Sequence, residues 1–312
     1  MKSLSATAVL MGDNPVAVED AIIVAAGIGS RMLPATAIIA KEVLPLVDVP
    51  SLYHLCWEAI HAGATRLHLV ISESKTGLIA KLRSDDAYIE MLAKSRPDLP
   101  KIALQAIPDD VELHSHIQHH PLGMADAVHQ ALKHIEGAAL VLLGDNLLMD
   151  VHPSSNDIGI ANASTASKRL VEAFQRTNRP ISGLRSVPDS QISKYGVVEM
   201  EGERVIAIIE KPVLSEAPSN KVLCGRYLFT GDACTLLQGK INVESHGELQ
   251  SIALFHYWMS ESGGFIGVDL DDCQWYDSGT PMAWLQAQID HALRRDDMSV
   301  VLREWLEERL NL

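Results

Sequence analysis

The stretch AIIVAAGIGSRMLPATAIIAKEVLP, residues 21–45, decides the fold of this chain and indicates what it binds. It opens with a short aliphatic run and passes at once into a segment with two glycines, Gly27 and Gly29. A strand that runs into a glycine turn and then a helix directs backbone N–H groups and a positive helix end at an anion above the turn. The stretch therefore predicts a β-strand, a phosphate-binding loop and a helix, in that order.

The loop differs from the two best-known glycine-rich motifs. A dinucleotide-binding G-x-G-x-x-G would need glycine where Met32 stands, and no G-K-[ST] of a P-loop occurs in the chain. A glycine pair after a strand is often only a tight turn. Here Arg31 and Lys41 follow the pair, and two cations beside a close backbone approach indicate an anionic ligand. Taken in isolation, the same two residues would be ordinary solvated surface cations.

Composition limits the class of protein. The 312 residues can bury the core of one large domain or two small ones, and 47% hydrophobic with 21% charged residues is typical of globular proteins. A net charge of -14 argues against nucleic acid or an anionic membrane as the main partner. Four cysteines without a C-x-x-C pair favour reduced thiols and a cytoplasmic location. Residues 1–20 predict an N-terminal arm and no signal peptide.

Strand-like runs alternate along the chain with stretches of helical period. We expect strands at residues 21–24, 66–71, 101–107, 138–143, 195–200, 205–209 and 221–229, and helices at residues 51–61, 77–94, 124–135 and 166–176. This order predicts one α/β domain, residues 21–280, with a Rossmann-like, mixed and mostly parallel sheet flanked by helices. Two further helices are expected in a C-terminal helical extension, residues 281–312.

An acidic residue follows the aliphatic run in AALVLLGDNLL. Asp145 stands directly after the expected strand, and open α/β sheets bind their ligands at the carboxyl ends of strands. Carboxylate oxygens are preferred ligands of Mg²⁺. Asp145 is therefore a candidate metal ligand at the same edge of the sheet as the glycine loop.

Seven residues match the signature G-x-G-[TS]-R-x-x-P-x-T-x-x-x-P-K, namely Gly27, Gly29, Ser30, Arg31, Pro34, Thr36 and Lys41. By this signature the chain resembles the sugar-1-phosphate nucleotidyltransferases over nearly its whole length. RMLPAT and KEVLPLVD are most similar to the bacterial UTP:glucose-1-phosphate uridylyltransferases, or UDP-glucose pyrophosphorylases. Two positions depart from that pattern. Ala40 replaces the usual proline, and Ala37 replaces a lysine, which removes a positive charge near the triphosphate.

The resemblance implies a fold of the nucleotide-diphospho-sugar transferase type and transfer of a nucleotidyl group from UTP to glucose 1-phosphate, with Mg²⁺ as cofactor. Arg31 and Lys41 would be the catalytic residues that hold the β- and γ-phosphates, and the nucleotide would lie against Ala26, Gly27 and Gly29. Such a reaction depends on prepositioned charge. The resemblance also implies a homodimer or homotetramer.

The metal site gains a second candidate from the resemblance. Asp277 in CQWYDSGT corresponds to a second metal-binding aspartate, beside Asp145. An aspartate followed by Ser278 and Gly279 is also a common turn former, so this alternative stays open.

Three residues are implied on the sugar-phosphate side. They are Gly196 in YGVV and the pair Glu210 and Lys211 in IIEKP. The pair combines an acceptor for hydroxyl groups with a cation for a phosphate. Without the resemblance, an exposed Glu-Lys dipeptide would simply be solvated surface.

Two residues are implied in the pocket for the base. Gln118 offers an amide that can pair with a pyrimidine edge, and Gly123, five residues later, permits contact with the backbone. Asp126 stands where uridylyltransferases usually have histidine and thymidylyltransferases glutamine, so UTP and dTTP both remain possible. The alternative is a plain loop glutamine.

The histidines around Gln118 permit two interpretations. His114, His116, His119 and His120 could bind a transition metal, because imidazole is its commonest ligand. No cysteine or carboxylate completes a recognisable spacing, which favours solvated histidines at the rim of a pocket.

One segment keeps a second function open. GELQSIALF has Ile252 and Ala253 where the family commonly has threonine and aspartate, in a loop that lies at the active site of relatives. The change could alter the sugar accepted, or it could mark a non-catalytic paralogue that binds nucleotide or sugar phosphate and regulates an active enzyme.

Overall fold

The computed structural model describes residues 16–82, 85–105, 107–239, 252–261 and 264–311. Within these residues the strands are β1 (Asp20–Ala25), β2 (Pro45–Leu46), β3 (Val49–Pro50), β4 (Arg66–Ile71), β5 (Glu112–Ile117), β6 (Ala139–Leu143), β7 (Asn146–Met149), β8 (Ile181–Ser186), β9 (Gly196–Glu201), β10 (Arg204–Glu210), β11 (Lys221–Phe229), β12 (Phe265–Asp269) and β13 (Gln274–Asp277).

The α-helices of the same residues are α1 (Ser51–His61), α2 (Thr76–Leu82), α3 (Asp86–Ser95), α4 (Lys101–Leu104), α5 (Met124–Leu132), α6 (Ala166–Thr177), α7 (Ala233–Gly239), α8 (Ile252–Glu261), α9 (Pro281–Arg294) and α10 (Ser299–Leu310). None of these helices is both long and apolar enough to cross a membrane.

Nine of the described strands form one mixed sheet in the order β5-β4-β1-β6-β11-β8-β12-β10-β9. The four strands from β5 to β6 are parallel, as is the pair β8 and β12. The remaining neighbours are antiparallel. The predicted mixed α/β sheet flanked by helices is therefore confirmed, and its run of four parallel strands lies in the first half of the chain.

The sheet is buried on both faces, which explains the continuous aliphatic run in β1. Ala21, Ile23 and Ala25 point to a core that includes apolar residues of α1 and α6. Ile22 points to the opposite core, which includes residues of α5, α7 and α8. Successive side chains of a strand face opposite ways, so a strand covered on both faces is apolar at every position.

The parallel strands end together at one edge of the sheet. Ala25 of β1 lies opposite Ile71 of β4, and Ile71 lies opposite Ile117 of β5. On the other side, Val24 pairs with Leu143 of β6. The segments that follow these four strands therefore meet along one line, where open α/β sheets bind ligands.

One strand prediction was wrong. Residues 101–104 form the short helix α4, and the expected strand lies later in the chain, at Glu112–Ile117. Strand β5 is the first strand of the sheet order and pairs there only with β4 among the described strands. Its sequence ELHSHI is polar because such an edge strand is only partly covered, so it lacks the aliphatic signal that marks the central strands.

The two expected C-terminal helices are present. Thr280 Oγ1 caps α9 by accepting from the N–H of Ala283, and Pro281 occupies the first turn. Gln288 of α9 then binds the β2–β3 turn, because Oε1 accepts from the Val47 N–H at 2.6 Å and Nε2 donates to the Pro45 carbonyl at 2.7 Å. Helix α9 thus contacts the segment that follows the glycine loop.

Candidate active site

The glycine loop after β1 consists of tight turns. Gly29 has φ 73°, in the left-handed region that favours glycine, and its carbonyl accepts from Thr36 Oγ1 at 2.8 Å. Three single 3₁₀ turns follow, and the next α-helix is α1. The predicted helix directly after the loop was wrong. An anion here would meet backbone N–H groups and cations, without the end of an α-helix.

A buried ion pair fixes the backbone of the loop. Lys75, which follows β4, donates to both carboxylate oxygens of Glu42 at 3.0 and 2.8 Å. Its ammonium also donates to the carbonyls of Ala25 and Gly27 at 2.6 and 2.7 Å. Burial raises the pKa of Glu42 and lowers the pKa of Lys75, and the attraction between the two charges opposes both shifts. The loop is therefore fixed by one buried cation.

The loop cation and the strand-end carboxylate meet directly. Lys41 Nζ lies 2.5 Å from Oδ2 of Asp145, while Oδ1 of Asp145 accepts from the Asn146 amide at 3.1 Å. Gly144, just before Asp145, lets the end of β6 lie close against β1, because a Cβ atom at that position would stand 2.5 Å from the Val24 carbonyl oxygen. Two residues 104 positions apart thus form one charged centre.

Asp277 is brought to the same place by a two-stranded ribbon. Strand β13 pairs with β7 so that Asp277 lies opposite Asn146, and both the N–H and the hydroxyl of Ser278 donate to the Asp145 carbonyl at 3.1 and 3.2 Å. Oδ1 of Asp277 also accepts from the Gly279 N–H at 2.8 Å. The turn expected as the alternative is therefore present, and the pairing of β13 with β7 places Asp277 beside Asn146, the residue that follows Asp145.

The chemistry of these donors fits a hard divalent cation. Mg²⁺ is usually bound through one or two carboxylates together with substrate phosphates and water. Asp145 and Asp277 supply two carboxylates next to a loop that presents cations. Among the described residues, no group of three or more His, Cys, Asp or Glu side chains is arranged to hold a metal ion. The pair suits a metal that is completed by phosphate oxygens.

Arg31 is exposed and lies beside Gly279. A Cβ atom at Gly279 would stand 2.6 Å from Nη2 of Arg31. Both Arg31 and Asp277 act electrostatically on Tyr195, whose pKa is raised by burial and by the Asp277 charge and lowered by Arg31. Arg31, Asp277 and Tyr195 are therefore neighbours, although they lie far apart in the sequence.

The three residues assigned to the sugar phosphate are grouped at the ends of β9 and β10. Gly196 pairs with Glu210, and a Cβ atom on Gly196 would stand 2.9 Å from Glu210 Oε2. Lys211 has φ 47° and its Nζ lies 3.4 Å from Glu210 Oε1. Both charged side chains are at least half exposed. They lie at the surface and contact each other, which leaves them accessible to a ligand.

Aromatic residues connect this group with the carboxylates. The backbone carbonyl of Tyr195 accepts from the Lys211 N–H at 2.9 Å, and the Tyr195 ring lies 5.0 Å from the ring of Trp275 between centroids. Trp275 Nε1 donates to Asn146 Oδ1 at 2.8 Å. A continuous chain of contacts therefore joins the sugar-phosphate group to the metal candidates.

The structure also brings together the two residues assigned to the base. Gln118 directly follows β5, and its Nε2 donates to the Gly123 carbonyl at 3.0 Å and to Asp126 Oδ2 at 2.8 Å. Gly123 has φ 103° and precedes the first residue of α5. Ala26 is buried directly after β1. Each of the four parallel strands therefore contributes, at its carboxyl end, a residue of the site or one that supports it.

The neighbouring histidines are not all rim residues. His119 and His120 are exposed, as expected, and His119 contacts Glu73 at 2.8 Å. His114 and His116 instead belong to β5 and stack on His68 of β4. Burial lowers the pKa of His116 to about 4. This pair is part of the sheet, where His114 is exposed and His116 is half-buried.

A cavity of about 840 Å³ lies elsewhere in the described residues, between α6 and strands β9 and β12. Its cations are already paired, with Arg169 bound to Asp272 and Arg176 to Glu203. Lys221 likewise contacts Asp269. Each of these three cations therefore has an acidic partner, whereas Arg31 of the glycine loop has no ion pair among the described residues.

Sequence reasoning missed four residues that shape the site: Glu42, Lys75, Tyr195 and Trp275. Glu42 and Tyr195 adjoin recognised motifs, KEVLP and YGVV, so their position was a usable signal. Trp275 also lies in a recognised motif, CQWYDSGT, whereas Lys75 gave no signal because its partners are distant in sequence. The altered segment at residues 247–253 lies outside the described residues, except for the backbone of Ile252 and Ala253 at the start of α8.

Comparison with known proteins yields consistent matches. The family described as nucleotidyl transferase matches residues 20–292. A UTP--glucose-1-phosphate uridylyltransferase of Streptococcus pyogenes is 33% identical and one of Streptococcus pneumoniae serotype 4 is 30% identical; each alignment covers 93% of this chain, and 93% and 95% of those proteins. A solved structure, a UTP-bound UGPase from Acinetobacter baumannii, superposes with a TM-score of 0.76 at 23% identity, covering 93% of this chain and 99% of that chain.

Proposed function

This chain belongs to the nucleotidyl transferase family, and from that premise we propose that it transfers the uridylyl group of UTP to glucose 1-phosphate, giving UDP-glucose and pyrophosphate. The names of its relatives support the choice of both substrates. The observation that carries the proposal is the contact of 2.5 Å between Lys41 Nζ and Asp145 Oδ2. This contact places Lys41, a cation that can bind phosphates, next to Asp145, a carboxylate that can bind a metal, at the edge where the parallel strands end.

The reaction needs no covalent intermediate on the protein. A phosphate oxygen of glucose 1-phosphate forms a bond to the α-phosphorus of UTP, and the bond from that phosphorus to the bridging oxygen of the β-phosphate breaks. Pyrophosphate leaves with the electron pair. The attacking oxygen is already ionised near neutral pH, so no general base is required. The work of the protein is to bring two polyanions into line.

The side chains divide this work by position. Lys41 and Arg31 would bind the β- and γ-phosphates and neutralise the leaving pyrophosphate. Gln118 and Gly123 would hold the base, while Ala26, Gly27 and Gly29 line the loop beneath the phosphates.

The sugar phosphate and the metal use the other side of the site. Gly196, Glu210 and Lys211 would bind the sugar phosphate. Asp145 and Asp277 would hold Mg²⁺, which supplies positive charge to the phosphate oxygens when bound. Divalent metals are general in the family, and magnesium is our specific assignment.

The test is pyrophosphate release with Mg²⁺, measured for UTP, dTTP, CTP, ATP and GTP against a panel of sugar 1-phosphates. UTP with glucose 1-phosphate should give the highest kcat/KM. Lys41→Ala should lower kcat by roughly 10²- to 10³-fold, the usual effect of removing one group that stabilises transition-state charge. Asp145→Asn keeps the shape of the side chain and should lower kcat by a similar factor while raising the Mg²⁺ concentration required.

Matched controls are available on the surface. Lys94→Ala on α3 and Asp110→Asn remove the same charges at exposed positions and should leave turnover unchanged. A folded wild-type protein that binds nucleotide but turns over no pair of substrates would overturn the proposal and support a non-catalytic, regulatory paralogue. Faster turnover with dTTP than with UTP, or with another sugar 1-phosphate than with glucose 1-phosphate, would change the proposed substrates but not the proposed reaction.

We also propose that the chain is organised as an arm at residues 1–20, a nucleotidyltransferase domain at 21–280 and a helical extension at 281–312.

We propose further that the protein self-associates as a homodimer or homotetramer. Helix α10 supports self-association because Val300, Val301 and Trp305 are each more than half exposed. Light scattering would measure the mass in solution. A cytoplasmic location is proposed from four free cysteines, three of them buried, and cell fractionation would check it.

A further inference from the structure

The base-binding glutamine is held rigidly by the fold. The Gln118 N–H donates to the Ile71 carbonyl at 2.8 Å, which continues the pairing of β5 with β4. The residue is only 8% exposed. Its amide nitrogen has two partners, the carbonyl of Gly123 and Oδ2 of Asp126. The backbone and the amide nitrogen of this residue are therefore both fixed.

The two partners determine which way the amide faces. A backbone carbonyl and a carboxylate can only accept hydrogen bonds, so the NH₂ group of Gln118 must point toward them. Oε1 consequently points the other way. It accepts no hydrogen bond within the described residues and is not among their buried unpaired atoms, so solvent reaches it. The accessible edge of Gln118 is an acceptor.

Asp126 is itself held in place. It lies in the first turn of α5, where the helix dipole favours a negative charge. Its Oδ1 accepts from Gln130 Nε2 at 3.1 Å, which leaves Oδ2 directed at Gln118. The carboxylate therefore has one oxygen for each of two glutamines.

We infer that Asp126 is a positioning residue that selects the base by locking Gln118 with its oxygen toward the ligand; this inference rests on the proposed function. An outward acceptor pairs with the N3–H of uracil or thymine. Cytosine carries an acceptor at N3 and would meet Oε1 with two lone pairs facing each other. Asp126 acts through Gln118 and has no contact with the base in this assignment.

The test compares Asp126→Ala with wild type in equilibrium binding of UTP, dTTP and CTP by calorimetry, and in kcat and KM with glucose 1-phosphate. In the variant only Gly123 orients the amide, so Gln118 can turn and present either edge. We expect UTP to bind roughly tenfold more weakly, the effect of one hydrogen bond to a charged group. The ratio of UTP to CTP affinity should fall by a similar factor, with kcat nearly unchanged.

Two further variants separate positioning from a structural role. Asp126→Asn retains Oδ1 as an acceptor for Gln118, because Gln130 can turn its own amide and give up its exposed contact with Lys133, and the variant should keep most of the preference for UTP. Adding Asp126→Ala to Gln118→Ala should change nucleotide affinity no further. An unchanged UTP to CTP ratio in Asp126→Ala, or an additive effect in the double variant, would overturn the inference. Wild-type UTP binding without turnover would instead reject only the proposed reaction.

Discussion

At the scale of single residues, the site depends on glycines that let charged groups approach the backbone. Gly196 is the clearest case on the sugar-phosphate side, because Glu210 lies against its Cα. The Glu210 side chain is half exposed and free to move. An added methyl group would therefore displace the carboxylate and leave the backbone in place.

Gly196→Ala should raise KM for glucose 1-phosphate by roughly tenfold, since a displaced Glu210 no longer accepts from the sugar hydroxyls. KM for UTP should remain near the wild-type value because the nucleotide is bound by other strands. Steady-state kinetics with each substrate varied in turn would measure both. Gly77→Ala is the matched control, because a Cβ atom there meets nothing within 4 Å. Equal changes in both KM values would contradict the assignment of Gly196.

At the scale of elements, the glycine loop is fixed by a buried ion pair, Glu42 with Lys75, and not by the helix that the sequence predicted directly after it. The side chains of Glu42 and Lys75 are 0% and 8% exposed. Breaking a buried pair is costly because the remaining charge has no partner, whereas replacing both partners by apolar groups is often nearly neutral. The pair therefore links the stability of the fold to the shape of the loop.

Lys75→Met should lower the free energy of unfolding by about 3–5 kcal/mol, because Glu42 is left as an uncompensated buried carboxylate. Urea denaturation followed by circular dichroism would measure the change. The loop should also loosen, since the carbonyls of Ala25 and Gly27 lose their donor.

The double variant Glu42→Met with Lys75→Met provides the control. It should recover part of the lost stability, because no buried charge remains. Losses that simply add would show that the two side chains are not coupled, in contradiction to their contact in the structure.

At the scale of the whole molecule, several histidines are buried or half-buried and stay neutral: His54 and His291 are buried, and His116 and His152 are half-buried. Burial is the leading cause that lowers the pKa of all four rings. The pKa of His54 falls to about 3, and the pKa values of His116, His152 and His291 fall to about 4. In the unfolded chain the same rings bind protons near pH 6.5. Stability present above pH 6.5 is therefore lost as the pH falls toward 4, because only the unfolded state takes up protons there.

The free energy of unfolding should decrease between pH 6.5 and 4, with about 1.4 kcal/mol per pH unit for each histidine that remains neutral. Urea titrations at several pH values would measure the slope. His54→Leu should flatten it and cost little stability at pH 7, since the buried Nε2 has no hydrogen-bond partner among the described residues.

His119→Gln, which removes an exposed histidine, is the matched control for this measurement. A slope that survives His54→Leu intact would assign the acid sensitivity to other groups. Carboxylates with lowered pKa values, such as Asp271 at about 2, lose their contribution only below this window.

Central elements were predictable, and peripheral ones were less so. The strands at 66–71 and 221–229 were predicted to the residue, since buried strands carry unbroken or alternating apolar patterns. The edge strand β5 was missed because a strand with one neighbour does not need such a pattern. The turns after Gly29 escaped prediction because their conformation depends on Lys75, more than forty residues away.

The amino-acid sequence by itself determined the α/β architecture, the family and the residues that the loop motif marks, because burial patterns and short motifs are local properties. Only the tertiary structure decided that Lys41 touches Asp145, that Asp277 joins them through β13, and that Asp126 turns Gln118 outward. The first two contacts form where strands distant in the chain meet, and the third crosses the loop of a few residues between β5 and α5. Contacts between distant strands depend on strand order and register, which a linear pattern does not contain.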